Sequence, residues 1–196
     1  TITIDGQGQN SRAQKETWIA TAPGSLAFSE SKNEIRASSS YALGYGVNNA
    51  IAVTHHREVV FVDQKFWVLF DTITGAGTHT VESRFQFGPG EIEVNGASAV
   101  TQFDDANLYL CATGSWKSRV LKGEEDPRAG WYSASYNKIE PAPALSLTNE
   151  TALPLSYAVL LFPYPSRQNP VTSFTLDTAA RISLSDGSKY NVPPSS

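Results

Sequence analysis

Arg57, Asp71 and Glu82 are the charges in this sequence best placed to act together. All three interrupt apolar stretches of residues 50–87, AIAVTHHREVVFVDQKFWVLFDTITGAGTHTVESRFQF. If the turn Asp63-Gln64-Lys65 centres on Gln64, Arg57 stands opposite Asp71 on the neighbouring strand. If the turn Gly75-Ala76-Gly77 centres between Ala76 and Gly77, Asp71 in turn stands opposite Glu82, giving a charged row across a three-stranded meander. A lone charge beside Val59, Val60 or Phe70 is costly to bury. The expectation is therefore a structural ion pair between Arg57 and Asp71. The chemical alternative is an arginine placed to grip a substrate carboxylate.

The three histidines sit in the same stretch. His55 and His56 are adjacent on one strand, so their side chains point to opposite faces. In the register above, His56 and His79 share a face but lie two strands apart, about 10 Å from two strand spacings, too far to share one zinc. There is no pair of cysteines and no His-x-x-x-His spacing. The residues thus point to no metal site within the chain, and each histidine reads as a hydrogen-bonded strand residue. The single cysteine, Cys111, lies in the run Asn107-Leu108-Tyr109-Leu110-Cys111-Ala112 and reads as a small buried side chain. A nucleophilic role would need a histidine beside it in space.

Residues 123–143, GEEDPRAGWYSASYNKIEPAP, place an acidic turn, an arginine, three aromatic rings and a further glutamate close together. Rings stack on the C–H faces of sugars, and charged side chains take hydroxyls or a uronate carboxylate. Arg128, Trp131 and Glu140 are the candidate substrate contacts. The competing reading makes Trp131 a core residue and Asp126-Pro127 a plain turn. No G-x-S-x-G, phosphate-binding loop or dinucleotide fingerprint occurs. Asn149-Glu150-Thr151 matches a glycosylation acceptor, a triplet that is common by chance.

The elements that hold these residues are strands. Apolar runs at residues 17–21, 25–29, 34–38, 50–62, 66–73, 79–87, 91–94, 99–103, 107–112, 116–121, 131–136, 144–148, 155–162, 171–176 and 181–184 alternate with Gly, Pro, Asn and Asp turns. Nowhere do apolar residues recur at helical spacing over three turns. Residues 59–62 and 66–70 are apolar at every position, so this part of the sheet must be covered on both faces. About fifteen strands exceed one comfortable sheet, so the expectation is an all-β fold, a large two-sheet antiparallel sandwich. The 196 residues read as one sandwich domain over 1–190 and a disordered tail over 191–196, which is Pro- and Ser-rich. A net charge of −4 with no basic block excludes a typical nucleic-acid binder. No apolar run approaches the roughly 20 residues that cross a membrane. The chain opens on the alternating pattern Thr1-Ile2-Thr3-Ile4-Asp5 without an initiator methionine, and so looks cut from something longer.

Taken in order, these landmarks resemble one family. Thr1-Ile2-Thr3-Ile4-Asp5-Gly6-Gln7-Gly8-Gln9 resembles the stretch just after a His-Asn pair in heparinase II/III-like polysaccharide lyases. His56-Arg57-Glu58-Val59-Val60-Phe61-Val62 with Phe66-Trp67-Val68-Leu69-Phe70-Asp71 is similar to paired strands of their C-terminal domain, and Gly75-Ala76-Gly77-Thr78-His79 to the turn that follows. Asp126-Pro127-Arg128-Ala129-Gly130-Trp131 and Glu140-Pro141-Ala142-Pro143 resemble a later landmark. The resemblance implies a sandwich that packs against an N-terminal α/α toroid. It also implies β-elimination on uronate-containing polysaccharides, heparin/heparan-like or alginate-like, in a secreted or periplasmic enzyme. The family's catalytic Tyr, His and Asn lie upstream, as do its zinc ligands, so no catalytic or metal residue carries over to this chain and no cofactor is expected within it. The implied partners are an acidic polysaccharide and the missing toroid, with no nucleic acid and no membrane. On this reading the fragment alone is inactive or nearly so. The alternatives from the residues themselves are a carbohydrate-binding module and a structural docking module.

Overall fold

The computed structural model describes residues 1–9 and 26–195. The strand expected at 17–21 lies outside the described residues. In chain order the described strands are β1 (Ile2–Ile4), β2 (Ala27–Glu30), β3 (Glu34–Tyr41), β4 (Thr54–Val62), β5 (Phe66–Thr74) and β6 (Thr78–Gln86). There follow β7 (Ile92–Asn95), β8 (Ser98–Thr101), β9 (Asn107–Ala112), β10 (Lys117–Leu121), β11 (Glu124–Glu125), β12 (Arg128–Ala129) and β13 (Trp131–Ser135). The last are β14 (Lys138–Pro141), β15 (Ala144–Ala152), β16 (Leu155–Tyr164), β17 (Val171–Leu176), β18 (Ala180–Leu184) and β19 (Lys189–Val192).

These strands form a sandwich. An eight-stranded sheet, ordered β2-β3-β4-β5-β16-β9-β8-β7, stacks on a four-stranded sheet, ordered β1-β6-β15-β10. Every pairing is antiparallel. The first core lies between the two sheets, with Ile4, Val81, Leu145 and Leu147 from the smaller sheet meeting Leu69, Ile73, Leu110 and Val159 from the larger. A three-stranded sheet, β17-β18-β19, adds a third layer that the sequence pattern does not announce. It covers the outer face of the large sheet, packing Ala180, Ile182 and Val192 on Val60, Phe66, Val68 and Leu160. Side chains alternate along a strand, so Val60, Val62, Phe66, Val68 and Phe70 face this second core while Leu69 and Ile73 face the first. That is why residues 59–62 and 66–70 are apolar throughout.

The hairpin β4–β5 has the register read from sequence, with Arg57 opposite Asp71 across a turn at Asp63 and Gln64, both in left-handed backbone. The three-stranded meander is not what forms. At 75–77 the chain leaves the large sheet and β6 enters the small one, between β1 and β15. The other edge of β5 is taken by β16, and β15 crosses to β16 beside the same corner, where the Leu153 N–H meets Gly77 O at 3.0 Å. Residues 155–162 are so apolar that their strand needs the most covered position available, next to β5. The tail over 191–196 also differs from its expectation. Asn191 and Val192 belong to β19, and Ser195 donates to the buried Glu58, N–H to Oε2 at 2.8 Å and Oγ to Oε1 at 2.6 Å. Glu58 also accepts from Arg36 Nη1 at 2.8 Å, so a buried carboxylate holds down a segment that composition alone marks as free.

Candidate functional site

Asp71 organises the polar part of the space between the two main sheets. It shares the inward face of β5 with Leu69 and Ile73, and its carboxylate is buried. Arg57 donates to both oxygens, Nε to Oδ1 at 2.7 Å and Nη2 to Oδ2 at 3.0 Å. His55, two residues before Arg57 and hence on the same face, places Nε2 2.6 Å from Oδ1. A carboxylate only accepts, so His55 carries a proton on Nε2 here. Burial alone would push the Asp71 carboxyl up, but the hydrogen bonds from His55 and Arg57 and the guanidinium charge outweigh it and hold it low. Above this trio the Tyr157 hydroxyl and Ser83 Oγ are buried without hydrogen-bond partners. Burial, then the Asp71 charge, pushes the Tyr157 phenol well up, so it stays neutral.

Glu82 does not join this row. It lies on the outer face of the small sheet, because β6 has changed sheets. It accepts from Thr3 Oγ1 at 3.0 Å, Ser146 Oγ at 2.6 Å and Arg84 Nη2 at 2.7 Å. Burial would raise its carboxyl; these donors and the Arg84 charge lower it. The outer face around it is a cleft of about 390 Å³ whose lining includes Lys117, Arg119 and Thr148, with Glu124, Asp126, Pro127 and Ala129 along one side. Arg119 Nη2 donates to Glu124 Oε1 at 3.1 Å across the mouth.

The structure places the three predicted substrate contacts as follows. Arg128, on β12, is exposed and donates to Glu125 Oε2 at 3.3 Å. Trp131, at the base of the β13–β14 hairpin, is half-buried and donates Nε1–H to Glu124 O at 2.9 Å. Its ring lies by Gly123, and its strand partner is Pro141. Glu140 is exposed opposite Tyr132. The local path depends on Gly130, whose φ of 71° is left-handed and whose Cβ would stand 2.3 Å from Leu121 O. The rings most available to a ligand are Tyr132 and Tyr136, the latter 92% exposed at the hairpin tip. Strand parity could have picked out Tyr132, since it must point away from its half-buried neighbour Trp131.

His56 faces away from His55 and pairs its Nδ1 with Ser40 Oγ at 2.8 Å. His79 sits on the other sheet and binds Asp5 Oδ2 through Nδ1 at 2.7 Å and Ala76 O through Nε2 at 3.0 Å. Burial pushes the Cys111 thiol up and keeps it protonated. Among the described residues no group of three or more His, Cys, Asp or Glu side chains comes together to hold a metal ion, and no helix is long and apolar enough to cross a membrane.

Comparison with curated proteins returns no match. Among solved structures, a heparinase III gene product superposes with a TM-score of 0.68 at 19% identity. The heparan sulfate lyase HepC of Pedobacter heparinus gives 0.66 at 16%, and a further heparinase III 0.67 at 16%. Each likeness covers 86% of this chain but only 27% of the other, so the chain spans about a quarter of these relatives and shares their fold over that quarter. The sequence itself matches a family description over residues 1–175, and by that match the chain belongs to the heparinase II/III-like, C-terminal family.

Proposed function

We propose that this chain is the C-terminal sandwich of a lyase that cleaves uronate-containing polysaccharides, heparin/heparan-like or alginate-like, by β-elimination. The observation that carries the reading is the family match over residues 1–175. The fold shared with a heparinase III and a heparan sulfate lyase supports it. In β-elimination a base takes the C5 proton of the uronate, the C4–O bond breaks as an acid protonates the leaving oxygen, and a C4=C5 double bond remains. Asp71, His55 and Arg57 are committed to one another, and Tyr157 is buried and neutral, which supports a scaffold role for this cluster. The reacting groups are assigned, on the family resemblance, to polypeptide outside this chain. The zinc of the family would likewise be held outside it. Arg128 and Glu140 are edge contacts for the polymer, with Trp131 fixing the hairpin that carries Glu140. An enzyme acting on such a polymer works outside the cytoplasm, secreted or periplasmic.

The test is to incubate the chain, and a longer polypeptide that includes the preceding domain, with heparin, heparan sulfate, chondroitin sulfate and alginate. Unsaturated uronate is followed by its ultraviolet absorbance. Turnover is expected from the longer polypeptide only. Strong turnover by residues 1–196 alone overturns the assignment of the chemistry to residues outside them.

The exposed Tyr132 and Tyr136 favour a second reading, a carbohydrate-binding module. Calorimetry with heparin and alginate oligosaccharides decides it. Binding that survives both Tyr136→Ala and Trp131→Ala, or no binding heat at all, counts against it.

A further inference from the structure

The ring of His79 joins two turns at one end of the sandwich. The first is the reversal at Asp5-Gly6, where β1 ends. Both residues are left-handed, with φ of 51° and 72°. Ile4 and Gln7 exchange backbone bonds across them, the Ile4 N–H to Gln7 O at 3.0 Å and the Gln7 N–H to Ile4 O at 2.8 Å. Asp-Gly is a pair that such a turn favours. The Asp5 carboxylate then reaches sideways to β6. Its Oδ1 accepts the Thr80 N–H at 2.8 Å, and its Oδ2 lies 2.7 Å from His79 Nδ1. The second turn is the corner at 75–77. Gly75 packs so close to its surroundings that a Cβ there would stand 3.0 Å from Val53 Cγ2 and 3.2 Å from Leu153 Cδ1. Ala76 O lies 3.0 Å from His79 Nε2, and Gly77 O accepts the Leu153 N–H at 3.0 Å.

Proton counting decides what this ring can do. A carboxylate and a backbone carbonyl accept and cannot donate. Both contacts are therefore hydrogen bonds only when both ring nitrogens carry a proton. The neutral ring has a single N–H, so one of the two acceptors must then face a lone pair. The carboxylate is the stronger acceptor, because its bond is charge-assisted. Nδ1 keeps the proton, and Ala76 O loses its donor. Among the described residues, Asp5 is the only charged group that acts on the ring. Thr151, opposite His79 on β15, is uncharged, and its neighbour Glu150 faces the outer side of the small sheet with Thr80 and Lys117.

We propose that His79 is a proton-operated latch, closing the Asp5-Gly6 turn onto the corner at Ala76 when protonated and releasing the Ala76 carbonyl when neutral. The Asp5 hydrogen bond raises the His79 pKa above the ordinary value of about 6.5. The latch is thus shut below that ordinary value and opens as pH rises through the raised one. Release acts on the peptide unit between Ala76 and Gly77. With its carbonyl free, that unit can turn, and the adjoining Gly77 O then meets the Leu153 N–H less well. What responds is the passage from β5 to β6, while the Asp5-Gly6 turn stays on Thr80. The device belongs to the sandwich itself and holds or fails independently of the elimination chemistry proposed above.

The experiment uses residues 1–196 and follows three NMR signals across about pH 5–9. These are the ring nitrogens of His79, the carbonyl carbon of Ala76, and the exchange protection of the Leu153 amide relative to an unstructured peptide at the same pH. Both nitrogens are expected to be protonated at the low end, and Nδ1 alone at the high end. The Ala76 carbonyl shift is expected to follow the same midpoint. Leu153 protection is expected to fall about fivefold through it, the worth of one hydrogen bond, while the Thr80 amide keeps its own. Asp5→Asn is expected to move the His79 midpoint and the Leu153 step down in pH together, and His79→Gln to remove the step. A neutral ring with its proton on Nε2 overturns the proposal, as does a Thr80 amide that loses protection in place of Leu153. So does a Leu153 step that survives His79→Gln or stays in place in Asp5→Asn.

Discussion

Asp71→Asn tests whether the inter-sheet trio is held together by one carboxylate. The substitution keeps the volume but removes the charge facing Arg57, and puts an amide where His55 Nε2–H needs an acceptor. Removing one partner of a buried ion pair costs about 3–5 kcal/mol. The Arg57 side chain keeps 27% of its surface in water, which discounts the figure to its lower end, about 3 kcal/mol. The weakened His55 bond adds about 1 kcal/mol. Arg57→Met should cost a similar amount, because it strands a buried carboxylate on a single donor. The double variant, which buries no unmatched charge, should lose far less than the sum, with a coupling of at least about 2 kcal/mol. Urea unfolding followed by tryptophan fluorescence gives all four free energies. Additivity within about 0.5 kcal/mol would refute the reasoning. A pH arm checks the sign. The folded-state pKa of Asp71 is depressed, so its stabilisation is complete above the unfolded value of about 3.9 and is lost as pH falls through the folded one. Wild-type protein should therefore lose more stability than Asp71→Asn as pH drops below about 4.

Three further outcomes follow from other contacts. His79 binds an acceptor at each ring nitrogen, so it is an imidazolium; its pKa is raised chiefly by the Asp5 hydrogen bond, and that of Asp5 is lowered by the same bond. The pair should stabilise the fold at pH 6 and lose this as pH rises through the raised His79 value, by at most about 1 kcal/mol at so exposed a site; an NMR titration of His79 and the melting difference from His79→Gln at pH 6 and 8 measure both. Gly130→Ala should destabilise by at least about 2 kcal/mol, from left-handed backbone and the clash with Leu121 O, a fall of roughly 4–8 °C in Tm. Gly96→Ala, also left-handed but with open space around it, should cost about 1 kcal/mol, and equal losses in the two would discount the clash. Glu58→Gln should free the Ser195 amide to exchange while the amides of Lys189–Val192 stay protected; unchanged exchange at Ser195 would show that Glu58 does not anchor it.

Local signals in this sequence translate well and distant ones do not. The run 66–70 and the turn at Gln64 specify a hairpin and its register, because side-chain parity and turn geometry act over a few residues. The same reading fails one turn later. Nothing local distinguishes a hairpin at 75–77 from a crossover; the choice is made by residues 155–162, which lie 80 positions away and claim the edge of β5. The third layer is hidden for a related reason. Val171–Leu176 and Ala180–Leu184 look like any half-buried strands, and only the second core shows that they cover the outside of the large sheet. The site residues divide the same way. Arg57 and Asp71 are neighbours across one hairpin, whereas Tyr157 reaches Asp71 by pairing from a strand more than 80 residues on, and Ser83 arrives only by stacking one sheet on another.

The paired crossings at Gly77 and Leu153 bear on how this molecule comes apart. β5 continues into β6 and β15 into β16, while β5 pairs with β16 and β6 with β15, so two covalent links join the same two sheets at one corner. The sheets cannot peel away from each other there as separate units; loosening one ladder pulls on the other through a few residues of chain. Closing this corner also requires segments some 80 residues apart to meet, which makes assembly slow and dependent on distant contacts. A cut or insertion at the tip near Gln64 leaves both crossings intact, whereas one at 75–77 opens the seam. Limited proteolysis should accordingly find the first position tolerated and the second ruinous to the whole sandwich.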